Sequence, residues 1–453
     1  MELTRDEEVR RAYSRDASGL EMIPDAVARA GDARDVIAAV EEAVRLESSI
    51  TPAGSQTSMT GASITDRGIL LSLAGMNRIV DVDESRRIAR VEPGLSIGAL
   101  NRELRPAGLH FAPDPTSEND ATVGGAIACN ASGARSLVHG PTRRHIRAIT
   151  VVGAEATLVT HTRRYLEKNT VGFAAVQDTV DWYVGSEGTL GIVVEAELLL
   201  TPLPANLIGL AIPFPDDRSA FRFVVEAREH GSRSPQCLEY FDQQALAIAG
   251  VSANRPWSAD AKSMIYLEDD AGPSTEACLD SWLELAESCF AIVGDIRAFD
   301  SAAALREARA FRHAVPATMN ERGAAFQSSG GRKVSTDWSV PYDRLAGILD
   351  ISRRASEDHG APMPVTYGHA GNGHPHQNFI AEDAGALERI RASIDETLEA
   401  VFEAGGTFSA EHGVGKLKKT WVERQLSADQ LKIMQAMKNA LDPRGIFSPG
   451  NIL

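Results

Sequence analysis

The sequence reads Pro52-Ala53-Gly54-Ser55-Gln56-Thr57-Ser58-Met59-Thr60-Gly61-Ala62 in its first third, and a second loop of similar composition follows. The second loop reads Pro113-Asp114-Pro115-Thr116-Ser117-Glu118-Asn119-Asp120-Ala121-Thr122-Val123-Gly124-Gly125 and leads to Asn130-Ala131-Ser132-Gly133. Glycine lets a backbone approach a ligand closely, and successive N–H groups near glycines can point into one concavity. Ser and Thr hydroxyls add neutral donors, so both loops suit a pyrophosphate.

Two common nucleotide-binding motifs do not describe these loops. Neither loop contains a lysine, which excludes a P-loop, and no strict G-x-G-x-x-G opens a helix, which argues against a Rossmann site. For either loop alone, the alternative is an ordinary surface turn rich in Gly and Ser. Two such loops separated by strand-like runs favour a shared ligand.

Composition and charge limit the class of protein. The chain has 453 residues, 43% of them hydrophobic and 24% charged, as expected of a soluble globular protein with two or three domains. The formal charge of −16 argues against nucleic acid or an anionic membrane as the main partner. The charged N-terminus lacks an apolar signal region, and no apolar run reaches the ~20 residues of a transmembrane segment. We expect a cytoplasmic protein, or one attached to the inner membrane through a partner.

The four cysteines are scattered at Cys129, Cys237, Cys278 and Cys289, and none forms a C-x-x-C pair. This spacing excludes iron–sulfur and zinc-ribbon motifs and a disulfide framework.

Hydrophobic periodicity and turn residues predict the elements around the loops. A helix capped by Asp32 is expected over 33–46, and one capped by Ser96 should end near Leu104. A strand is predicted at 69–73 and a hairpin over 79–92. The turn over 185–191 has three glycines before a strand over 193–200, which indicates close backbone approach or simply a tight turn.

The second half begins at a predicted linker, Pro202-Leu203-Pro204. Strands are predicted at 207–212 and 264–267, and helices at 219–229 and 275–290. This alternation indicates an α+β sandwich with helices on one face of a sheet. Near the C-terminus, Ser427 and Gln430 predict a capping box for a helix that ends at Asp442-Pro443.

Four of the 11 histidines fall in two short stretches of this half. The first reads Gly368-His369-Ala370-Gly371-Asn372-Gly373-His374-Pro375-His376-Gln377-Asn378, and the second reads Glu411-His412-Gly413-Val414-Gly415-Lys416. Imidazole and carboxylate groups are good ligands for divalent metals, and glycines between His369 and His376 let the loop fold back. A surface turn with incidental histidines is the alternative.

The paired glycine loops resemble the PCMH-type FAD domain of the vanillyl-alcohol oxidase superfamily. The resemblance implies a two-part FAD-binding domain over 1–203, an α+β cap domain over 204–404 and a C-terminal helical segment over 405–453 that returns to the flavin. It also implies flavin contacts from Gly54, Thr57, Ser58, Gly61, Ala62, Ser117, Thr122, Gly124, Gly125, Ser132, Gly133, Glu187, Gly191 and Ile192. The first loop has no His or Cys for a covalent bond, so we expect FAD to be bound non-covalently.

The histidine stretches resemble the C-terminal motifs of FAD-linked D-2-hydroxy-acid dehydrogenases, whose pattern is G-H-x-G-D-G-N-x-H-x-N followed by E-H-G. Carried over, His369, His376 and Glu411 hold a divalent metal, Zn²⁺ or Mn²⁺. His412 is the general base, and Asn378 lies beside the substrate, whose carboxylate is held by Arg312 and Lys333. Asn372 and His374 depart from the pattern, and His374 could compete as a ligand.

The chemistry that this resemblance implies is oxidation of a small D-2-hydroxy acid, of the D-lactate, glycolate or 2-hydroxyglutarate type. His412 would take the hydroxyl proton while hydride leaves Cα for flavin N5. Electrons would pass to a separate acceptor such as a quinone, a cytochrome or an electron-transfer protein, and a homodimer is left open. Two alternatives remain: an FAD transferase similar to alkylglycerone-phosphate synthase, which has a histidine where Glu411 stands, and a flavin subunit active only within a complex.

Overall fold

The structure is a computed structural model that describes residues 2–231, 233–252 and 256–453. The chain forms two compact units. Unit 1 comprises Met1–Gly133, His139–Leu203 and Glu411–Leu453, and unit 2 comprises Ala134–Val138 and Pro204–Ala410. The predicted three-domain division, with bounds after 203 and 404, stays a prediction.

The elements that precede the linker are short strands and helices. The strands are β1 (Leu3–Thr4), β2 (Ala26–Arg29), β3 (Ile50–Ala53), β4 (Ile69–Ser72), β5 (Ile79–Asp83), β6 (Ile88–Val91), β7 (Leu109–His110), β8 (Ile146–Val152), β9 (Leu158–Thr162), β10 (Ile192–Leu199) and β11 (Thr201–Pro202). The helices are α1 (Glu7–Ala12), α2 (Ala33–Arg45), α3 (Ile97–Leu104), α4 (Val123–Cys129), α5 (Ser136–His139) and α6 (Ala174–Gln177).

Two sheets form the centre of unit 1. A four-stranded sheet has the order β1-β2-β4-β3, in which β2, β4 and β3 are parallel, and a five-stranded antiparallel sheet has the order β5-β6-β10-β8-β9. The apolar face of α2 packs in one core with strands of the first sheet, while α3 and α4 pack in another with strands of the second. Asp32 and Ser96 cap α2 and α3 as predicted, and β5 and β6 form the predicted hairpin.

Unit 2 is built on one large sheet. Its strands are β12 (Leu207–Phe214), β13 (Cys237–Phe241), β14 (Ser263–Asp270), β15 (Arg297–Phe299), β16 (Gly330–Ser335), β17 (Val365–His369) and β18 (His374–Asp383). They form an antiparallel sheet in the order β15-β12-β14-β13-β17-β18-β16. Its helices are α7 (Asp217–Arg228), α8 (Gln243–Ser252), α9 (Thr275–Ser288), α10 (Ala302–Ala324), α11 (Leu345–Asp358) and α12 (Ala384–Glu403).

Helices pack on both faces of this sheet, so the predicted one-sided sandwich is wrong. On one face, the Tyr240 ring lies 4.7 Å from that of Phe221 in α7, and Asp269 accepts a hydrogen bond of 3.0 Å from Trp282 in α9. On the other face, Phe241 and Tyr266 share a core with apolar residues of α8 and α10. Strands that are buried on both faces lose the polar and apolar alternation from which a one-sided sheet is predicted.

The chain then returns to unit 1 through α13 (Lys419–Gln425) and α14 (Ala428–Leu441). The predicted capping box of Ser427 and Gln430 is present, and α14 ends before Asp442 as expected. Beyond it, the C-terminal tail pairs with β3, since the Ile50 N–H donates to Ile446 O over 2.8 Å and the Ser448 N–H donates to Ile50 O over 2.9 Å. Among the described residues, no helix is both long enough and apolar enough to span a bilayer.

A buried carboxylate lies in the central sheet of unit 2. Glu268 in β14 is fully buried and forms ion pairs with Arg135 and Arg309 of α10, and Tyr266 donates a hydrogen bond of 2.9 Å to it. Burial would raise the pKa of Glu268, but the two guanidinium groups outweigh burial and bring it to about 2. The ionised form of Glu268 therefore stabilises unit 2 at neutral pH.

Glu268→Gln is expected to destabilise unit 2 by about 3 kcal/mol at pH 7, because it leaves two arginines beside a neutral group. The folded pKa of Glu268 is about 2, below its ordinary value of 4.5, so this contribution is present above pH 4.5 and is lost as the pH falls towards 2. Urea unfolding at pH 7 and pH 3, with the exposed Glu284→Gln as control, measures the effect. A loss that is the same at both pH values would contradict this assignment.

Candidate flavin and metal sites

The two glycine loops of unit 1 touch at Gly54 and Thr122. A Cβ on Gly54 would lie 2.3 Å from Thr122 Oγ1, so only glycine fits at this contact. The same Thr122 hydroxyl caps α4 by accepting the Gly125 N–H over 3.2 Å. The structure thereby brings together two loops that the sequence only suggested share a ligand.

Three residues in or beside these loops have a strained backbone. Gln56, Asn130 and Glu187 adopt φ values of 55°, 50° and 51°, a region that side chains other than glycine rarely occupy. Residues held in this way cluster at ligand sites, where the surrounding structure enforces them. The loop geometry therefore fits a bound FAD, and all the residues predicted to contact it lie in unit 1.

The Glu187 side chain links the 185–191 turn to the segment that carries the second histidine motif. Glu187 is 5% exposed, and its carboxylate accepts the N–H groups of Val414 over 2.6 Å and of Gly415 over 2.8 Å. Burial raises the pKa of Glu187, while these two donors oppose the rise. A Cβ on Gly413 would lie 2.6 Å from Glu187 Oε1, so the motif needs glycine there.

Lys416 and Asn451 form a clasp at the first glycine loop. The Lys416 ammonium donates to Gly61 O over 2.9 Å, to Ile64 O over 2.8 Å and to Asn451 Oδ1 over 2.6 Å. Asn451 in turn donates to Ala62 O over 2.8 Å. Burial lowers the pKa of Lys416 to about 8. The clasp holds the C-terminal tail against the loop.

The predicted base, His412, lies beside both glycine loops in unit 1. Thr60 of the first loop donates to His412 O over 3.4 Å, and Ser132 beyond the second loop donates to Glu411 Oε2 over 3.2 Å. His412 Nε2 is 3.7 Å from Glu411 Oε1, and its side chain is 21% exposed. His412 is thus placed among the residues that are predicted to contact FAD.

The first histidine motif forms the hairpin of β17 and β18 in unit 2. His369 and His374 face each other across this hairpin, and the ring centroids of His369, His374 and His376 lie 4.6–5.4 Å apart. One nitrogen from each ring lies within 4.8 Å of the others. Gly373 permits the tight turn, with φ of 67° and Val340 O only 1.8 Å from where a Cβ would stand.

A buried carboxylate orients the first of these histidines. His369 Nδ1 lies 2.7 Å from Glu239 Oε1, and Arg312 Nε lies 3.1 Å from Glu239 Oε2. Burial would raise the pKa of Glu239, but Arg312 and His369 bring it to about 2. An ionised carboxylate on one nitrogen of a histidine fixes the tautomer in which the other nitrogen can bind a metal.

His374 is buried in the same cluster. It is 4% exposed, and its Nε2 lies 3.2 Å from Asp337 Oδ1 without the geometry of a hydrogen bond. Buried polar atoms usually have a partner, so an orphaned imidazole nitrogen needs a physical reason. Three imidazoles with converging nitrogens and nearby carboxylates fit a divalent metal ion.

The predicted substrate residues lie on the same sheet face as the histidines. Strand register places His376, Asn378, Lys333 and Glu239 on the face that α8 and α10 cover. Asn378 is 1% exposed, accepts a hydrogen bond from Ser335 and donates one of 3.0 Å to Tyr367. Burial lowers the pKa of Lys333, and no ion pair among the described residues includes it.

Sequence reasoning missed the buried carboxylates and the clasp. Glu239 stands in the otherwise apolar and aromatic strand Cys237–Phe241, and this isolated charge was the available signal. Asp337 lies shortly after Lys333, but nothing in the sequence placed it beside His374. Lys416 belongs to the second histidine motif, and nothing in the sequence predicted its contact with the first glycine loop.

Comparison with known proteins identifies the family. A model of the C-terminal domain of FAD linked oxidases matches residues 203–452, and an FAD binding domain matches residues 24–162. The chain belongs to the FAD-linked oxidases. It is an FAD-dependent oxidoreductase, so the predicted family and enzyme class are confirmed, and the FAD-binding domain supports FAD as the cofactor.

Named relatives align over nearly the whole chain. The glycolate oxidase subunit GlcD of Bacillus subtilis is 30% identical over 98% of this chain and 92% of its own. The D-lactate dehydrogenase of Anaerostipes hadrus is 27% identical, and the D-2-hydroxyglutarate dehydrogenase of Xanthomonas citri pv. viticola is 28% identical, each over 95% of this chain and 89% of its own.

A solved structure supports the fold of this FAD-linked oxidase. An alkyldihydroxyacetonephosphate synthase structure matches with a TM-score of 0.71 and 17% identity over 99% of this chain and 82% of its own. The predicted mixed α+β fold with a PCMH-type FAD-binding domain is thereby confirmed.

Gly54→Ala is expected to lower the FAD retained per chain, because its Cβ would overlap Thr122 and push the two loops apart. FAD is quantified in the supernatant after acid precipitation, which should also release all the flavin of the unmodified protein. Gly347→Ala, with no atom near its added Cβ, is the matched control. Equal FAD content in both variants would contradict the role of the loop contact, and flavin that remains in the pellet would contradict non-covalent binding.

Proposed function

We propose that the protein oxidises a D-2-hydroxy acid, of the D-lactate, glycolate or 2-hydroxyglutarate type, to the 2-oxo acid. Its relatives include a glycolate oxidase subunit, a D-lactate dehydrogenase and a D-2-hydroxyglutarate dehydrogenase, all named for such acids. We also propose that the electrons go to a separate acceptor, namely a quinone, a cytochrome or an electron-transfer protein, because the cysteine spacing excludes an iron–sulfur cluster in the chain.

The observation that carries this proposal is the position of the Glu411–Lys416 segment in unit 1. Thr60 donates a hydrogen bond to the carbonyl of His412, and Ser132 donates one to the carboxylate of Glu411. The Val414 N–H of the same segment donates to Glu187. Thr60, Ser132 and Glu187 all lie in or beside the glycine loops. The backbone of His412 is therefore held beside the loops that fit FAD. A general base must lie within reach of the proton it removes, and rigid placement contributes to its efficiency.

We propose that His412 removes the hydroxyl proton of the substrate. Removal of that proton raises the electron density at Cα, which favours departure of hydride from the same carbon. The chain is hydrogen-bonded on both sides of His412. Before it, Ser132 donates to the Glu411 carboxylate, and after it, the N–H groups of Val414 and Gly415 donate to Glu187. Bound FAD supplies the hydride acceptor.

We propose that Lys333 is the main residue that binds the substrate carboxylate. Lys333 is half-buried, burial lowers its pKa, and no ion pair among the described residues includes it. Arg312, the other predicted cation, already pairs with Glu239 at 3.1 Å, so part of its charge is neutralised. Asn378 is the proposed neighbour of the substrate on the same sheet face.

We propose His369, His376 and Glu411 as ligands of a Zn²⁺ or Mn²⁺ ion. His369 is oriented by Glu239, and His376 lies within the same cluster of imidazoles. Glu411 follows Ala410 directly, and the Ala410 N–H donates to Asp337 O over 2.8 Å inside unit 2. A divalent ion would supply polarisation of the substrate hydroxyl.

His412→Ala is expected to keep its bound FAD but to slow flavin reduction by the acid roughly 10²–10⁴-fold, the usual contribution of a positioned base. Anaerobic stopped-flow reduction measures the rate, after a screen of 2-hydroxy acids with a dye acceptor has identified the best substrate. His359→Ala is the control, because His359 is paired with Glu396 outside the proposed site.

Reduction of the His412→Ala flavin within a few-fold of the unmodified rate would remove His412 from the mechanism. If no 2-hydroxy acid bleaches the flavin of the unmodified protein, the proposed oxidation is overturned. Turnover of an alkylglycerone phosphate substrate without net redox change would then favour the transferase alternative. Activity that returns only with a partner protein would favour the subunit alternative.

Lys333→Met is expected to weaken binding of the acid roughly 10- to 100-fold, because a charged hydrogen bond to the carboxylate is lost. The maximal rate of reduction should change less than the apparent Kd. The Kd follows from the dependence of the flavin reduction rate on acid concentration, and Lys432→Met, at an exposed lysine, is the control. An unchanged Kd would transfer this role to Arg312.

A further inference from the structure

We propose that His374 is a third imidazole ligand, so that unit 2 provides a three-histidine site that selects Zn²⁺ over Mn²⁺. This inference rests on the metal site of the proposed function and concerns the identity of the ion. It assigns His374, for which the resembling pattern has asparagine, to the metal itself. The argument uses residues of unit 2 only.

The geometry of the hairpin places three imidazoles at one point. His374 and His376 are two residues apart on β18 and share a face, and His369 is the cross-strand partner of His374. The closest pair of rings is His374 and His376, whose centroids are 4.6 Å apart. Because one nitrogen of His374 lies within 4.8 Å of a nitrogen on each of the other two, all three can approach a single ion.

The burial of His374 supports a ligand role over a packing role. The ring is 4% exposed, and its Nε2 is a buried polar atom without a hydrogen-bond partner. An unsatisfied buried polar group costs about 1–3 kcal/mol. A core position without function would be expected to hold an apolar residue or a satisfied one.

Asp337 provides the supporting carboxylate. Its side chain is fully buried and lies 3.2 Å from His374 Nε2. Ser409 donates to its other oxygen over 3.1 Å, which holds the carboxylate in place. His369 has a similar neighbour in Glu239, so two of the three rings have a buried carboxylate beside one nitrogen. At His369, the carboxylate bonded to Nδ1 orients the ring and raises the basicity of the other nitrogen. At His374, Asp337 instead places negative charge beside the unpartnered Nε2, which favours a cation at that nitrogen.

The donor set determines which ion is favoured. Imidazole nitrogen suits Zn²⁺, Cu²⁺, Fe²⁺ and Ni²⁺, whereas Mn²⁺ and Mg²⁺ favour carboxylate, carbonyl and water oxygen. Three imidazoles should therefore raise the affinity for Zn²⁺ far more than that for Mn²⁺. The third histidine should change the relative affinities for metal ions without changing the affinity for FAD.

The test uses the full FAD-loaded chain, stripped of metal by a chelator and titrated with Zn²⁺, Co²⁺ or Mn²⁺. His374→Asn should lower the affinity for Zn²⁺ by at least about 10- to 100-fold, the loss already seen when only an outer partner of a ligand is removed. The affinity for Mn²⁺ should fall less, so the ratio of the two affinities should drop. The visible spectrum of bound Co²⁺ should also change, while His359→Asn should leave all three readouts unchanged.

X-ray absorption of the Zn²⁺-loaded unmodified protein gives a second measurement that does not depend on the folding of a variant. Scattering from three imidazoles is expected. Three results would each overturn the inference. The first is scattering from two imidazoles or fewer, and the second is a His374→Asn variant whose affinity ratio and Co²⁺ spectrum are unchanged. The third is an unmodified protein that binds no metal.

These outcomes separate the inference from the proposed function. Bleaching of the flavin by a 2-hydroxy acid is measured on the same preparation. Bleaching without His374-dependent metal binding would overturn the inference and leave the oxidation standing. If Zn²⁺ binding depends on His374 but no 2-hydroxy acid reduces the flavin, the inference stands and the proposed oxidation is overturned.

Discussion

The buried carboxylate of Glu187 is the interaction on which the arrangement of unit 1 most depends. It accepts two backbone N–H groups from the segment that carries His412, and it stands at a positive φ in the turn before β10. A carboxylate buried to this degree is tolerated only when donors satisfy it. The segment beyond Glu411 is consequently held against the glycine loops, and the Lys416 clasp fixes the tail in the same place.

The need to satisfy buried carboxylates also determines the arrangement of unit 2. Glu239, Glu268 and Asp337 are all buried, and each has a cation, an imidazole or a hydroxyl beside it. Since a lone buried charge is strongly unfavourable, each carboxylate requires its partners to be present and correctly oriented. Orientation of His369 by Glu239 is then a consequence of the packing of the sheet and of α10, which supplies Arg312.

The two arginines of α10 illustrate how structural and functional readings of a charged residue differ. Arg309 neutralises Glu268, and Arg312 neutralises Glu239, so both complete buried ion pairs. Lys333 lies on the same face without an ionic partner among the described residues, and burial lowers its pKa. A half-buried cation that the protein does not neutralise is the better candidate for an anionic ligand.

Sequence alone determined the local structure and the types of chemistry. Helical periodicity with Asp32, Ser96 and Ser427 as caps located three helices, because capping and amphipathicity are short-range properties. The glycine loops and the histidine motifs pointed to FAD and a metal through their resemblance to a known family. Only the tertiary structure decided that helices cover both faces of the unit 2 sheet, that Gly54 meets Thr122, and that Asp337 lies beside His374. These contacts join residues far apart in the chain, and the burial that makes them necessary exists only once the core has formed.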